Sequence, residues 1–228
     1  MCDDAQVSTP NSPIDHPGTV EFWVDPVCPW CWVTARWMID RVQPATGVQV
    51  IWQPISLLFK NSPAPDSAYY PPVAATHRML RVMEQIRLAH GDDAAGRFYQ
   101  HMGTRIHHDR LLDADPTNVD LTAELTACAL DGAFADAADD DRLDDVIRER
   151  MQIGLDLVGD DVGTPIIALD GVDGHRVGVF GPVITRVPDI ETSVELWRAM
   201  VTMARTDGFW ELKRTRTERP DFGERPER

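Results

Sequence analysis

This chain has no long apolar run. None of its segments approaches the roughly 18 consecutive apolar residues that a membrane-spanning helix requires, so a membrane role is excluded and a soluble protein is expected. Positive charge is also short: 22 Lys and Arg stand against 37 Asp and Glu, a net charge of -15. Contact with phosphate backbones needs a basic face, so general nucleic-acid binding is excluded and the acidity reads as a solubility device. The opening "MCDDAQVSTPNSPIDHPG" lacks the basic start and apolar stretch of a secretory signal, and residues 1–18 read as a disordered arm. A cytoplasmic location is expected. Cysteine is scarce, four in 228 residues, and not spaced as a secreted disulfide framework. In a reducing compartment a close cysteine pair is expected to do chemistry rather than to staple the fold.

What remains is an ordinary globular composition, 43% hydrophobic and 26% charged. "TVEFWVD" (residues 19–25) reads as a buried strand stopped by Pro26, and the run from Pro29, with proline in the first turn, reads as a helix. A second strand is predicted over residues 47–56, giving β-α-β with a parallel crossover. Helices are then predicted over about 73–91, 93–107, 117–131 and 140–158, with the acidic run 131–145 as a solvated loop and helix start. Residues 165–170 and 176–181 read as an antiparallel hairpin, and a last amphipathic helix spans about 189–206. The expected class is α/β, a thioredoxin-like domain (19–60 and 159–212) with an all-α insertion (61–158). The tail, 213–228, is nearly free of apolar residues and is expected to fray or lie on the surface.

Cys28-Pro29-Trp30-Cys31 lies at the predicted strand-to-helix junction. Unpaired N–H groups at a helix start favour thiolate, so Cys28 is expected to ionise readily and act as nucleophile. Cys31, one turn on and deeper, would resolve the mixed disulfide. Pro29 and Trp30 would help to set redox poise. Asp25 reads either as a strand-end carboxylate paired with Arg or water or as a proton acceptor for the resolving thiol. Tyr69 and Tyr70 would line the cleft or cover an apolar edge. Cys2 falls in the arm and Cys128 on an apolar helical face, where thiols are inert packing. Half of a zinc site is the competing reading of the pair, but a second pair of ligands is missing from the sequence. A holdase without redox activity is a further alternative.

"FWVDPVCPWCWVTARWM", "GTRIH", "GDDVGTPII", "FGPV" and "FWELKRTRTERPDF", in this order, resemble the actinobacterial mycothiol-dependent nitroreductases, DsbA-like thioredoxin-fold oxidoreductases. The likeness runs from about Val20 to Phe222. It implies a cis bond at Thr164-Pro165 beside the cysteine pair, Asp25 as proton acceptor, and Asn61, Tyr70 and His107 at a substrate pocket. It implies mycothiol as electron donor, with no metal and no bound flavin or nucleotide. Expected partners are a small electrophile such as a nitroaromatic and a mycoredoxin-type recycling protein, with the chain as monomer or homodimer. General protein disulfide exchange or isomerisation is the alternative within the same chemistry.

Overall fold

The computed structural model describes residues 18–227; the expected N-terminal arm and Cys2 lie outside the described residues, apart from Gly18. The sheet is built from β1 (Thr19–Val24), β2 (Gln49–Pro54), β3 (Ile166–Asp170) and β4 (Arg176–Phe180) in the order β2-β1-β3-β4. β1 and β2 are parallel, in register from Thr19↔Gln49 to Val24↔Pro54. β3 runs antiparallel to both β1 and β4. Because β1 is central and apolar on both faces, Phe22, Trp23 and Val24 are fully buried.

The crossover is α1 (Pro29–Trp37), which passes through one π-type turn, Met38–Val42, into α2 (Gln43–Thr46). Gly47, at φ 71, ends it in the left-handed region that glycine enters freely. After β2, α3 (Leu57–Asn61) is capped by Ser56, whose hydroxyl accepts from the Phe59 N–H at 3.3 Å. The helical block follows as α4 (Tyr70–His90), α5 (Asp92–His107), α6 (Leu121–Ala127) and α7 (Leu143–Val158), and α8 (Ile190–Arg205) comes after the hairpin. The third expected helix is much shorter than 117–131, since Ala129 takes φ 60 and breaks it. The acidic run is not a solvated loop: Gly132–Asp139 is a 3-10 helix that packs on α4 and buries Ala137 and Ala138.

Tryptophan and glycine bring the helical block onto the sheet. A Cβ at Gly103 in α5 would lie 2.2 Å from the Trp32 ring, and one at Gly154 in α7 would lie 2.7 Å from the Trp23 ring. Each glycine removes the side chain that would hold the helix off the ring face. Trp23 also donates its Nε1–H to the Arg150 carbonyl at 2.7 Å. The result is a thioredoxin-like fold with a helical insertion between β2 and β3. Among the described residues no helix is long and apolar enough to cross a membrane.

Beyond Arg205 the described chain has no regular element and lies on the surface, the second of the two expected outcomes, fastened at two points. The Asp221 N–H donates to the Thr185 carbonyl at 2.7 Å, and Arg225 grips Asp109 with two hydrogen bonds of 2.6 and 2.7 Å.

Candidate active site

β1 ends at the cysteine turn. Cys28 is the N-cap of α1, in extended conformation at φ -75, ψ 111, and Pro29 opens the helix where its missing N–H removes no bond. Both cysteines are free thiols, and their burial is unequal: Cys28 keeps 9% of its surface, Cys31 none. Trp30, between them, is half-buried. The Thr34 hydroxyl, one turn on, lies 2.7 Å from the Pro182 carbonyl and ties α1 to the "FGPV" loop.

The Thr164-Pro165 bond is cis, as the resemblance implied, and Gly181-Pro182 is a second cis bond that the sequence reading did not foresee. Thr164 meets both sulfurs. Its carbonyl accepts from the Cys28 thiol at 3.7 Å, and its Oγ1 lies 3.3 Å from Cys31 Sγ and 2.6 Å from the Trp23 carbonyl. The Tyr99 hydroxyl, on the buried face of α5, stands 3.7 Å from Cys31 Sγ.

Asp25 is fully buried just before the turn. Among the described residues its carboxylate pairs with no Arg, correcting that part of the sequence reading: it accepts from the Leu57 N–H at 2.7 Å and the Val27 N–H at 3.0 Å. Burial pushes its pKa up to about 6, against the pull of the Leu57 and Val27 N–H groups and the Thr76 hydroxyl. Asp25 is therefore poised near neutrality.

The expectation of a readily ionised Cys28 is not met in this arrangement. Burial pushes its thiol up to about 11; the Asp25 charge adds to the rise, while the Cys31 and Trp30 N–H groups and Arg216 oppose it. The helix start supplies the donors the sequence promised, but loss of water outweighs them. Burial raises Cys31 further, with the Cys28 charge next.

The remaining expected residues divide. His107, at the end of α5, lies 2.8 Å through Nε2 from the Pro26 carbonyl and stacks on Trp32 at 5.9 Å. Burial lowers its pKa to about 4, so it is neutral and donates that bond. Its neighbour His108 accepts from the Trp32 Nε1–H at 3.2 Å. Asn61 is exposed and donates to the Tyr69 hydroxyl at 3.0 Å. Burial raises the Tyr69 phenol, and the charges of Asp25 and Cys28 add to the rise. Tyr70 instead lines a cavity of about 160 Å³ with Pro71, Ala74 and Pro116, which includes neither cysteine. Cys128 is half-buried, its thiol donating to the Leu125 carbonyl at 3.3 Å.

Sequence reasoning missed Tyr99 and Arg216. The first had a signal: Gly96, Tyr99, Gly103 and His107 share one face of α5 by helical spacing, with a glycine on either side of Tyr99. Arg216 had only the resemblance of its segment, "FWELKRTRTERPDF", since it is more than 180 residues from Cys28 and outside any regular element. Among the described residues no three His, Cys, Asp or Glu side chains gather as a metal-holding group.

Comparison with known proteins adds the following. Residues 27–214 match the family model described as "Rv2466c-like: Mycothiol-dependent nitroreductase Rv2466c". The "Uncharacterized protein Rv2286c" of Mycobacterium tuberculosis is 25% identical over 206 residues, covering 87% of this chain and 83% of that protein. Among solved structures, a doubly cysteine-to-alanine-substituted alpha-DsbA1 of Wolbachia pipientis superimposes with a TM-score of 0.54 at 13% identity, over 84% of this chain and 88% of that one. The unsubstituted alpha-DsbA1 of the same organism gives 0.50 at 13% identity, over 82% and 86%. Likenesses this distant speak for the DsbA-like fold.

Proposed function

This chain belongs to the Rv2466c-like family of mycothiol-dependent nitroreductases, and from that premise we propose that it is a cytoplasmic oxidoreductase whose Cys28–Cys31 dithiol reduces disulfides or small electrophiles such as nitroaromatics at the expense of mycothiol. The observation that carries the reading is the unequal burial of two free thiols in one helical turn, 9% against none, with Thr164 touching both.

In the proposed cycle Asp25, charged about half the time near its pKa of about 6, accepts a proton from the turn. With a disulfide acceptor, the Cys28 thiolate attacks one sulfur, the S–S bond breaks and one thiol leaves. Cys31, deprotonated in turn, attacks Cys28 Sγ; the mixed disulfide breaks, a second thiol leaves, and the Cys28–Cys31 disulfide forms. Two electrons have passed to the acceptor. With a nitro compound the same two electrons and two protons yield the nitroso product and water. Two equivalents of mycothiol restore the dithiol and become mycothiol disulfide.

Mycothiol is here a consumed reductant, and a small thiol needs one reachable sulfur beside a backbone partner. Cys28 and the Thr164 carbonyl provide these. Pro29 and Trp30 shape the entrance, and Pro165 sets the Thr164 backbone against the pair. His107 fixes the Pro26 carbonyl rather than lining the entrance, while Asn61 holds Tyr69 at the rim. The helical insertion over 61–158 closes the pair from the buried side.

Rapid mixing of reduced protein with mycothiol disulfide and with a nitro compound tests this. Cys28→Ser should lower both rates by at least about a thousandfold. Cys31→Ser should accumulate a mixed disulfide on Cys28, visible by mass. A Cys28→Ser protein with wild-type rates refutes the proposal.

A further inference from the structure

The irregular segment after α8 crosses the molecule and returns to the cysteine turn. It is fastened at one end by Arg225 on Asp109, whose carboxyl is held well below the usual carboxylate range by Arg225 and then Arg105. Next along, the Phe222 ring packs 5.0 Å from His107 and 5.9 Å from His108, the two histidines that hold the Pro26 carbonyl and Trp32. Glu218 is paired with Arg186. Between these fastenings and the turn, the Arg216 guanidinium sits over the Trp30 ring, 5.2 Å from its centre. Among the described residues no carboxylate pairs with Arg216.

An arginine is thus carried back to the active-site tryptophan. We propose that the C-terminal segment completes the active site: Arg216, held over Trp30 by the Phe222 and Arg225 fastenings, is a positioning residue whose guanidinium is the countercharge for Cys28 when that thiol ionises. The inference rests on Cys28 being the nucleophile of the proposed reaction. The groups that face Cys28 support it. Asp25 from the end of β1 opposes ionisation, and Cys31 on α1, Tyr69 before α4 and Tyr99 on α5 are neutral as thiols and phenols. His107 is neutral through burial. Arg216 is the cation of the set, and it acts on Cys28 in the direction of thiolate.

The test is the pH dependence of iodoacetamide alkylation at Cys28, read by peptide mass in full-length Cys31→Ser protein. The midpoint reports charge near the sulfur, whereas access scales the limiting rate. Arg216→Gln should raise the midpoint by about 0.3 to 1 pH unit, so that alkylation below it slows roughly two- to tenfold. Arg216→Lys should recover at least half of that shift, and strong salt should shrink it. Coincident midpoints for wild type and Arg216→Gln, or equal shifts for Gln and Lys, overturn the proposal. Because alkylation reads the thiol and not turnover, failure here is separable from failure of the Cys28→Ser test.

Discussion

The two sides of the cysteine turn are held by opposite kinds of contact. Under Cys31 lie Tyr99, Thr164, Trp32 and the close-packed face of α5, all buried. Beside Cys28, at Trp30, lies an irregular segment fastened by a half-exposed arginine on Asp109, a ring contact and a cation over the indole. Dispersion and close packing make the lower side costly to disturb, while exposed ion pairs are worth little each. Cys31 is therefore set in a rigid bed, and Cys28 lies beside the part that can yield. A thiol kept at about 11 by burial is thereby protected until it is uncovered or its proton is taken.

The largest effect should come from the rigid side. Gly103→Ala places a methyl 2.2 Å from where the Trp32 ring now sits, so α5 or the ring must move. We expect a loss of about 3 kcal/mol, at the upper end of overpacking costs, seen as a fall in Tm of roughly 6–12 °C. A change within about 2 °C, the effect of roughly half a kcal/mol, would mean that α5 yields as easily as the covering segment, and the contrast would be lost.

That contrast also separates what the sequence disclosed from what it withheld. The β-branched and aromatic run "TVEFWVD", the proline-led run from Pro29 and the paired "PIIALD" and "RVGVF" are local signals, and each became the expected element. The cysteine pair was legible because strand, proline and thiols fall within a dozen residues. Tyr99, which reaches Cys31 across 68 positions, and Arg216 depend on tertiary placement, which periodicity does not encode. The acidity of Cys28 was misjudged for the same reason. Its helix-start donors are local, but its burial is made by chain from elsewhere. The 3-10 helix at Gly132–Asp139 was hidden because aspartates that serve as a cap and as ion-pair partners look in sequence like a solvated run.

A middle-sized effect should come from Asp25, which sits at the boundary between the two sides. Folded Asp25 holds its proton up to about pH 6, whereas an unfolded aspartate releases it near its ordinary value of 3.8. Stability therefore falls as pH rises through that window and stays lower above it, by up to about 3 kcal/mol. Asp25→Asn removes the buried charge but offers one acceptor oxygen where two N–H groups now bind. The variant should gain about 1–2 kcal/mol at neutral pH and nothing in strong acid, by denaturant titration at both. It should also slow thiol exchange, since the proton acceptor is gone. Stabilisation that persists in acid would assign the effect to packing.

The smallest change in stability, and the most informative, should come from Arg225→Gln. The ion pair with Asp109 keeps 40% of the arginine side chain in solvent, so its loss should cost under about 1 kcal/mol and leave Tm almost unmoved. Its effect on access is different in kind. With Arg225 released, the covering segment keeps the Phe222 contact and loses its charged fastening, so the limiting rate of Cys28 alkylation should rise about two- to fivefold, the equivalent of that same free energy. Strong salt should bring wild type toward the variant by screening the pair. Asp109→Asn should act in the same direction, and the double variant should add little to either, because both remove one fastening. If Arg225→Gln leaves the limiting rate unchanged while Gly103→Ala alters it, Cys28 is covered from the rigid side, and the division of the turn into a fixed bed and a yielding cover is wrong.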